Sequence, residues 1–448
     1  MNLQAPNPMR ASSRGSVLII VLWVAFGLVS IALYFADSMS AELRASDNQV
    51  CGEAADQAIE GASRYVNFIL TNDATNGVIP DLTQYKAAAV PVNDAEFWII
   101  GRNPTGTSTD PYFSLIDEAS KLNLNYAGTN VLLNLPNMTP DFAQAIVDWR
   151  NTNGPGLSSL NYSLLGYLPK SAPFETVDEL RLVYGSDMDL LVGEDINQNG
   201  VLDENEVDAN HNGQADPGLF EYCTVFTREP NMHSDGSMLT NVTDRAAIQA
   251  LLQSQFGAAR ANQIMARFVI RVQGPRGERS TTRQVTVNNL LQFYLQSGMT
   301  SKEFEQIANS ITVGNAPYTY GRVNINTASA TVLSCLPGMD VGTAQQLVNY
   351  RNQNPNNLGS IAWIVDALGA GNTAVQSLAQ GDYITTHSYQ FTADIAALGP
   401  HGRGYRRTRF VFDLSTGTVR IVYRQDLSRL GWALGKTVRL AMLGNVPK

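Results

Sequence analysis

The sequence predicts an α+β fold, in which a long N-terminal transmembrane helix leads into an antiparallel sheet domain that is interrupted by two helical modules. Three observations predict it: an uncharged apolar run near the N-terminus, a stretch at 121–153 that recurs at 322–354, and strand-like segments with a hairpin near the C-terminus. The length of 448 residues allows two to four domains. The net charge of −9 argues against a general nucleic-acid binder. Three cysteines allow at most one disulfide.

The first element is an apolar run without a charge that extends from Ser16 to Ala36. At about 1.5 Å per residue, a helix of that length spans a hydrocarbon core of roughly 30 Å. Arg10 and Arg14 precede the run and no acidic residue does, so the positive-inside rule keeps the N-terminus cytoplasmic. The run is too long for a secretory signal peptide, and no A-x-A-like site closes it.

The helix is predicted to continue beyond the run, because apolar residues recur at helical spacing from Leu43 to about Leu70. Arg14 and Gly15 stand directly before the run. A basic leader, a glycine before an apolar run, and one helix half in the membrane and half in a soluble domain resemble the type IV pilin and pseudopilin families. That resemblance implies cleavage between Gly15 and Ser16 by a prepilin peptidase.

The fifth residue after this site is Ile20, where most members of these families carry Glu. An unpaired carboxylate is costly in lipid, so a subunit with no neighbour above it gains by lacking one. Residues 14–48 resemble the K class of type II secretion system minor pseudopilins, the general secretion pathway protein K family. That class lacks the Glu and is placed at the fibre tip.

The internal repeat covers residues 121–153 and 322–354, which align without a gap. Each copy is predicted to form an extended entry, a helix, a proline turn and a second amphipathic helix. The second copy resembles helix-hairpin-helix modules, which bind DNA phosphates through glycine-rich hairpins with basic neighbours. Asp141 and Asp340 stand at the hairpins and no Lys or Arg does, so we expect sterile-alpha-motif-like domains for protein contact. The K class carries two such modules within its pilin-like domain.

An acidic stretch between the modules, Asp187 to Glu221, has ten acidic residues and no Lys or Arg. Part of it fits the 12-residue calcium loop, with oxygen ligands at positions 1, 3, 5, 7, 9 and 12 and Gly200 at the turn. The predicted Ca²⁺ ligands are Asp195, Asn197, Asn199, the carbonyl of Val201, Asp203 and Glu206. The alternative interpretation is a solvated acidic turn.

The pattern restarts directly after the first loop and predicts a second, weaker calcium loop. Its candidate ligands are Asp208, Asn210, Asn212, Gln214 and Asp216. Leu219 occupies position 12, where the bidentate glutamate belongs. The sequence therefore predicts one calcium ion and leaves a second open.

Strands are predicted at 96–102, 112–116, 220–228 and 268–273, and in a C-terminal hairpin of 409–414 and 418–424. We expect them to form the antiparallel sheet of a pilin-like domain.

The basic segment 399–448 is interpreted either as a solvated sheet face or as a docking surface for acidic partners. The predicted segments are a leader (1–15), the transmembrane helix (16–36), the first part of the pilin-like domain (37–120), module 1 (121–186), the acidic insertion (187–221), pilin-like strands with extra helices (222–320), module 2 (321–382) and C-terminal antiparallel strands (383–448).

Catalytic signatures are not found in the sequence: the four histidines lie far apart, and neither HExxH nor GxSxG occurs. The resemblance implies a non-catalytic minor pseudopilin that caps the type II secretion pseudopilus and supports export across the outer membrane. Its expected partners are other minor pseudopilins, the inner-membrane secretion platform and prepilin peptidase, with no nucleic acid. It is expected in the bacterial inner membrane, single-pass, with its C-terminal domain periplasmic and incorporated in a pseudopilus. Two alternatives stay open: a membrane-anchored DNA-binding protein for DNA uptake, and an accessory type IV pilus subunit.

Overall fold

The computed structural model describes residues 14–74, 77–103, 108–153, 156, 159–272 and 281–444. Of the predicted leader, 1–13 lie outside the described residues. The helices are α1 (Arg14–Asp73), α2 (Thr129–Leu132), α3 (Pro140–Arg150), α4 (Ser159–Leu164), α5 (Met188–Val192), α6 (Leu219–Tyr222), α7 (Arg245–Ala266), α8 (Leu290–Ser297), α9 (Ser301–Ala308), α10 (Ala330–Ser334), α11 (Val341–Gln353), α12 (Trp363–Leu368), α13 (Thr373–Leu378) and α14 (Gly435–Gly444).

Short 3-10 helices lie at Glu118–Ser120, Val177–Leu182, Pro355–Asn357, Pro400–Gly402 and Ser428–Leu430. The strands are β1 (Val90–Val92), β2 (Ala95–Ile100), β3 (Ile116–Asp117), β4 (Leu122–Asn123), β5 (Cys223–Thr224), β6 (Arg228–Pro230), β7 (Thr240–Asn241), β8 (Val269–Val272), β9 (Thr281–Gln284), β10 (Ile311–Thr312), β11 (Tyr318–Tyr320), β12 (Val323–Asn324), β13 (Ile384–Thr385), β14 (Gln390–Gly399), β15 (Arg403–Asp413) and β16 (Arg420–Asp426). A long N-terminal helix, an antiparallel sheet and helical insertions confirm the predicted α+β class.

Helix α1 is continuous over 60 residues. Its described side chains up to Val50 are exposed, apart from the partly exposed Ser40, and the helix begins to be buried at Cys51. From there, small and branched apolar residues at helical spacing, such as Ala55, Ala62 and Val66, are fully buried. The predicted change from an apolar anchor to an amphipathic helix is therefore present in one element.

The main sheet has the strand order β1-β2-β14-β15-β16, with β3 also pairing with β14, and all its pairs are antiparallel. Side chains alternate between its two faces. On the inner face, β2, β14 and β15 place Phe97, Phe391 and Phe410 against α1 in one apolar core. On the outer face, Trp98 and Leu398 pack with the C-terminal segment around Leu434.

The central strand, β14, lies in the region expected to hold C-terminal antiparallel strands, but the sequence does not predict this strand individually. The C-terminal hairpin is predicted, and β15 and β16 form it. Predicted strand 96–102 corresponds to β2, but of segment 112–116 only Ile116 lies in a strand. Segment 220–228 begins as helix α6 instead of a strand, because a short apolar run fits either structure. Strands β5 to β13 pair in separate two-stranded ladders and none joins the main sheet, which corrects the prediction that 222–320 supplies pilin-like strands.

The two helical modules are built alike and share a single apolar core with the helices between them. In module 1 the entry strand β4 pairs in parallel with β5, and in module 2 β12 pairs in parallel with β13. The second helix of each module is capped by the residue at the same repeat position, Thr139 before α3 and Asp340 before α11. A side-chain oxygen at this position binds free backbone N–H groups of the first turn, which explains why the helix starts there.

Candidate functional site

The predicted first calcium loop folds as a tight turn around the carboxylate of Asp195. Its Oδ1 accepts a hydrogen bond from the N–H of Asn199 at 2.9 Å, and its Oδ2 accepts one from Gly200 at 2.8 Å. Gly200 has a φ of +84°, which a glycine adopts without steric cost. The turn that the spacing predicts is therefore formed by the residues expected to form it.

The remaining polar side chains converge on one oxygen of Asp203. The amide nitrogens of Asn197 and Asn199 lie 2.6 and 2.8 Å from Asp203 Oδ2. The two carboxylate oxygens of Glu206 accept hydrogen bonds from the N–H groups of Asn197 and Asp203, at 3.2 and 2.9 Å. The Oδ1 atoms of Asn197 and Asn199 accept hydrogen bonds from the N–H groups of Asn199 and Val201, at 3.0 and 2.9 Å. The loop thus gathers carboxylate, amide and carbonyl groups, which are the ligand types that a hard cation takes.

Among the residues that the structure describes, no three His, Cys, Asp or Glu side chains are grouped closely enough to hold a metal ion. The amide oxygens of Asn197 and Asn199 and the carbonyl of Val201 would have to complete the ligand set. The donor chemistry fits Ca²⁺, which accepts such neutral oxygens.

Three polar side chains in the first half of the loop are buried, which makes the charge of Asp195 costly. Asp195, Asn197 and Asn199 are 2%, 3% and 1% exposed. Burial raises the pKa of the carboxyl groups of Asp195 and Glu206, because removal from water disfavours the charged form. A bound divalent cation would offset that cost.

The surface that covers the loop is the outer face of the main sheet. Arg407 donates hydrogen bonds to the carbonyl oxygens of Asn197 and of Gln198, the latter at 2.8 Å. The same guanidinium pairs with Asp394 of β14 at 2.7 Å, and both side chains are 0% exposed. Arg409 binds Asp394 at 2.9 Å and the Gln198 side-chain oxygen at 3.1 Å. The loop is thus fixed to the sheet.

Sequence reasoning did not identify Asp394 or Arg407. The available signal was a single aspartate within the apolar segment QFTADIAALG, a pattern that indicates a buried and paired charge.

The basic C-terminal segment also has partners that neither interpretation anticipated. Besides Asp394, they are acidic side chains of α1 and of the first calcium loop: Arg403 pairs with Asp47, Arg406 with Asp56, Arg424 with Glu60 and Lys436 with Glu204.

The second loop repeats the first loop's hydrogen bonds at the corresponding positions. Asp208 accepts from the N–H groups of Asn212 and Gly213, at 3.1 and 2.8 Å. The amides of Asn210 and Asn212 both donate to Asp216 Oδ2. The N–H of Gln214 donates to Asn212 Oδ1 at 2.7 Å.

The glutamate missing from position 12 of the second loop has a substitute that sequence spacing did not reveal. Glu194 accepts hydrogen bonds from the N–H groups of Ala209 and Asp216, at 2.8 and 3.1 Å. Glu206 braces the first loop in nearly the same way. Unlike the first loop, the second is largely exposed.

The predicted cleavage site, Gly15 and Ser16, lies in the first turn of α1, and Ile20 follows in the same helix with 61% of its side chain exposed. In the described part of the chain, α1 is the one helix that is long and apolar enough to cross a membrane. Its place near the N-terminus fits a single-pass anchor.

The repeated residues of the modules make the same internal contacts. Arg150 donates to the carbonyl oxygen of Ala127, and Arg351 donates to that of Ala328, each pair being related by the repeat. At the hairpin, Gly338 has a φ of +75° and lies so close to Ser377 that an added Cβ would meet its hydroxyl at 2.4 Å. The hairpin of module 2 is therefore packed against its own chain.

These features define an architecture: one long N-terminal helix that fits a membrane anchor, and two helical modules inserted in an antiparallel sheet domain. Residues 323–380, which form most of module 2, match the family model described as Type II secretion system (T2SS), protein K. The match confirms the resemblance to the K class of minor pseudopilins that the sequence predicts.

The other comparisons add a structural likeness. A chain in the crystal structure of the GspK-GspI-GspJ complex from the enterotoxigenic Escherichia coli Type 2 Secretion System covers 87% of this chain and 98% of its own length. The sequence identity is 8% and the TM-score is 0.41. Comparison with curated proteins gave no match.

Proposed function

We propose that this protein is a non-catalytic minor pseudopilin that caps the tip of a type II secretion pseudopilus and supports protein export across the outer membrane. The observation that carries the proposal is the match of module 2 to the protein K family, in a chain whose α1 fits a single-pass anchor. Its neighbours would be other minor pseudopilins and the inner-membrane secretion platform, with the globular part on the periplasmic side.

Placement at the tip is supported by Ile20. A carboxylate at this position would need a partner within the membrane or the fibre, and an apolar side chain needs none. A tip subunit has no neighbour above it to supply that partner. The apolar Ile20 is therefore consistent with the end position in a fibre.

Immunogold electron microscopy of purified pseudopili, with an epitope tag at the C-terminus, tests the placement. We expect label at one end of each fibre. The Ile20→Val variant, which keeps an apolar side chain, should give the same pattern, and Ile20→Glu should not increase the labelled fraction. Label distributed along the fibres would contradict the tip assignment.

Processing by prepilin peptidase is a second part of the proposal. Gly15 and Ser16 lie directly before the apolar run and beside Arg14, at the cytoplasmic edge of the proposed anchor. Mass spectrometry of the mature protein should find Ser16 as the first residue, and Gly15→Leu should leave the leader attached. A mature start at another residue would contradict the pseudopilin interpretation.

Calcium is the third part. The first loop would hold Ca²⁺ through Asp195, Asn197, Asn199, the carbonyl of Val201, Asp203 and Glu206. The ion would neutralise buried carboxylates and keep the loop seated on Arg407. The gathering of the predicted ligand side chains in one turn supports this role.

The second loop would hold another Ca²⁺ through Asp208, Asn210, Asn212, the carbonyl of Gln214 and Asp216, with Glu194 in place of the missing glutamate. Its support is the repetition of the first loop's hydrogen bonds. Because this loop is exposed, its carboxylates are stabilised by water and gain less from a cation. We expect it to bind more weakly than the first.

A further inference from the structure

The two edges of the main sheet differ in how they are closed. At one edge, β1 has only three residues and Pro91 at its centre, which cannot donate a backbone hydrogen bond. At the other edge, β16 has seven residues and pairs only with β15. Within the described residues, no further backbone hydrogen bond reaches the outer side of β16. This edge presents a row of unpaired donors and acceptors, which is a template for another strand.

The side chains along this edge are suited to a partner. Ile421 and Val422 are large apolar residues with 47% and 46% of their surface exposed. Arg420, and Arg429 just beyond the strand, are exposed, and Arg424 lies between them. Asp426, at the end of β16, is exposed as well, and Arg429 interacts with it electrostatically. With these three arginines against one aspartate, the edge carries an excess of positive charge in a chain whose net charge is −9.

A cleft opens beside the same edge, between the outer face of the sheet and module 1. Its volume is about 150 Å³, and its lining combines the aromatic Phe220 and Phe226 with charged side chains of both signs, among them Asp178, Asp426 and Arg429. A strand added to β16 would lie next to this cleft and place alternate side chains near it. Strand addition that combines backbone pairing with side-chain pockets is a common mode of peptide recognition.

We propose that β16 is a docking edge for an extended, acidic segment of another protein, which adds a strand to the sheet beside this cleft. Charge favours such a partner: Arg420 and Arg429 attract acidic side chains, whereas a second copy of this acidic chain is repelled as a whole. The inference does not depend on the function proposed above.

The test uses the full-length protein in detergent and a fluorescent seven-residue peptide of alternating Glu and Val, matched in length to β16. Fluorescence anisotropy should show binding of this peptide, and much weaker binding of a Lys and Val peptide. The same acidic peptide with every backbone nitrogen methylated cannot donate hydrogen bonds and should lose its binding. The protein itself is unchanged in these comparisons, so misfolding cannot explain them.

Two protein variants locate the site. The double variant Arg420→Glu with Arg429→Glu should raise the Kd of the acidic peptide about 2- to 30-fold. This is the range for the loss of two exposed ion pairs of about 0.2–1 kcal/mol each. Arg439→Glu, an exposed change on α14, is the matched control and should have little effect. Equal binding of the methylated peptide, equal binding to the double variant, or no binding at about 1 mM peptide would overturn the proposal. A dimer of this chain that the double variant dissociates would overturn it too, since the edge would then belong to a second copy.

Discussion

Two of the junctions between the main sheet and its insertions each contain a buried aspartate. Where the first calcium loop lies on the sheet, Asp394 is paired with Arg407 and Arg409. Where module 2 meets the sheet, Asp117 of β3 accepts hydrogen bonds only from neutral donors, among them Asn324, Thr327 and Ser388.

The pKa values of the two buried carboxyl groups shift in opposite directions. Burial alone would raise the pKa of Asp394, but Arg407 and Arg409 outweigh it and hold the pKa well below its usual range. Burial raises the pKa of Asp117 to about 6, because its hydrogen bonds only partly offset the loss of water. The loop junction is therefore held by charge, and the module 2 junction is sensitive to pH.

The largest expected effect is the loss of Arg407. Arg407→Met leaves Asp394 buried beside only Arg409, which is partly exposed, and leaves the carbonyl oxygens of Asn197 and Gln198 without this donor. We expect the free energy of unfolding to fall by about 3–5 kcal/mol, the cost of breaking a buried ion pair. Urea denaturation measures it. The double variant Arg407→Met with Asp394→Leu is the control and should recover part of the lost stability. A loss below about 1 kcal/mol in Arg407→Met alone would show that the Arg407–Asp394 ion pair contributes little to the stability of the fold.

The module 2 junction should lose stability as pH rises. The native pKa of Asp117 is raised, so the unfolded chain releases this proton first and the contribution of Asp117 falls between about pH 4 and pH 6. From 3.8 to about 6, the change is about 3 kcal/mol at 1.36 kcal/mol per pKa unit. Urea denaturation across this range should show a steeper fall for the wild type than for Asp117→Asn. Parallel curves for the two proteins would contradict the assignment.

The third largest effect is expected from calcium, which should stabilise the junction between the first loop and the main sheet. If the first loop binds Ca²⁺ only in the native state, a calcium concentration 100-fold above Kd adds about 2.7 kcal/mol to the free energy of unfolding. Chelation should therefore lower the melting temperature, and Glu206→Gln should remove most of this difference. Glu204→Gln, an exposed neighbour outside the ligand set, is the matched control. Melting curves that chelator leaves unchanged would show the loop to be an acidic turn without a cation.

The smallest effect is expected at the second loop. Glu194→Gln keeps one acceptor for Ala209 or Asp216 but removes the second charged oxygen that Ca²⁺ would use. Isothermal titration calorimetry should count two sites in the wild type and one in this variant. The loss of stability should be about 1 kcal/mol, because Glu194 is partly buried and the change removes about one hydrogen bond. Two sites of unchanged affinity in the variant would exclude Glu194 as a ligand.

Local features of the fold were predictable from the sequence, and contacts between distant segments were not. The turn at Gly200 and the repeated modules follow from short spacings, and the C-terminal hairpin follows from two neighbouring strands. Strand β14 was not predicted individually, and the junction at Asp394 was missed with it, because its partner Arg407 meets it only across the β14–β15 ladder. Glu194 was missed for a similar reason, since it precedes the first loop and braces the second.

The exposed segment of α1 before Cys51 sets the distance between the membrane and the globular part of the chain. If a bilayer core surrounds residues 16–36, residues 37–50 remain between the lipid and the first buried turn at Cys51. A helical segment of that length spans about 21 Å at roughly 1.5 Å per residue. Arg403 of the sheet pairs with Asp47 near its end. Residues 37–46, about 15 Å of helix, therefore form a rigid spacer that holds the globular body clear of the headgroups.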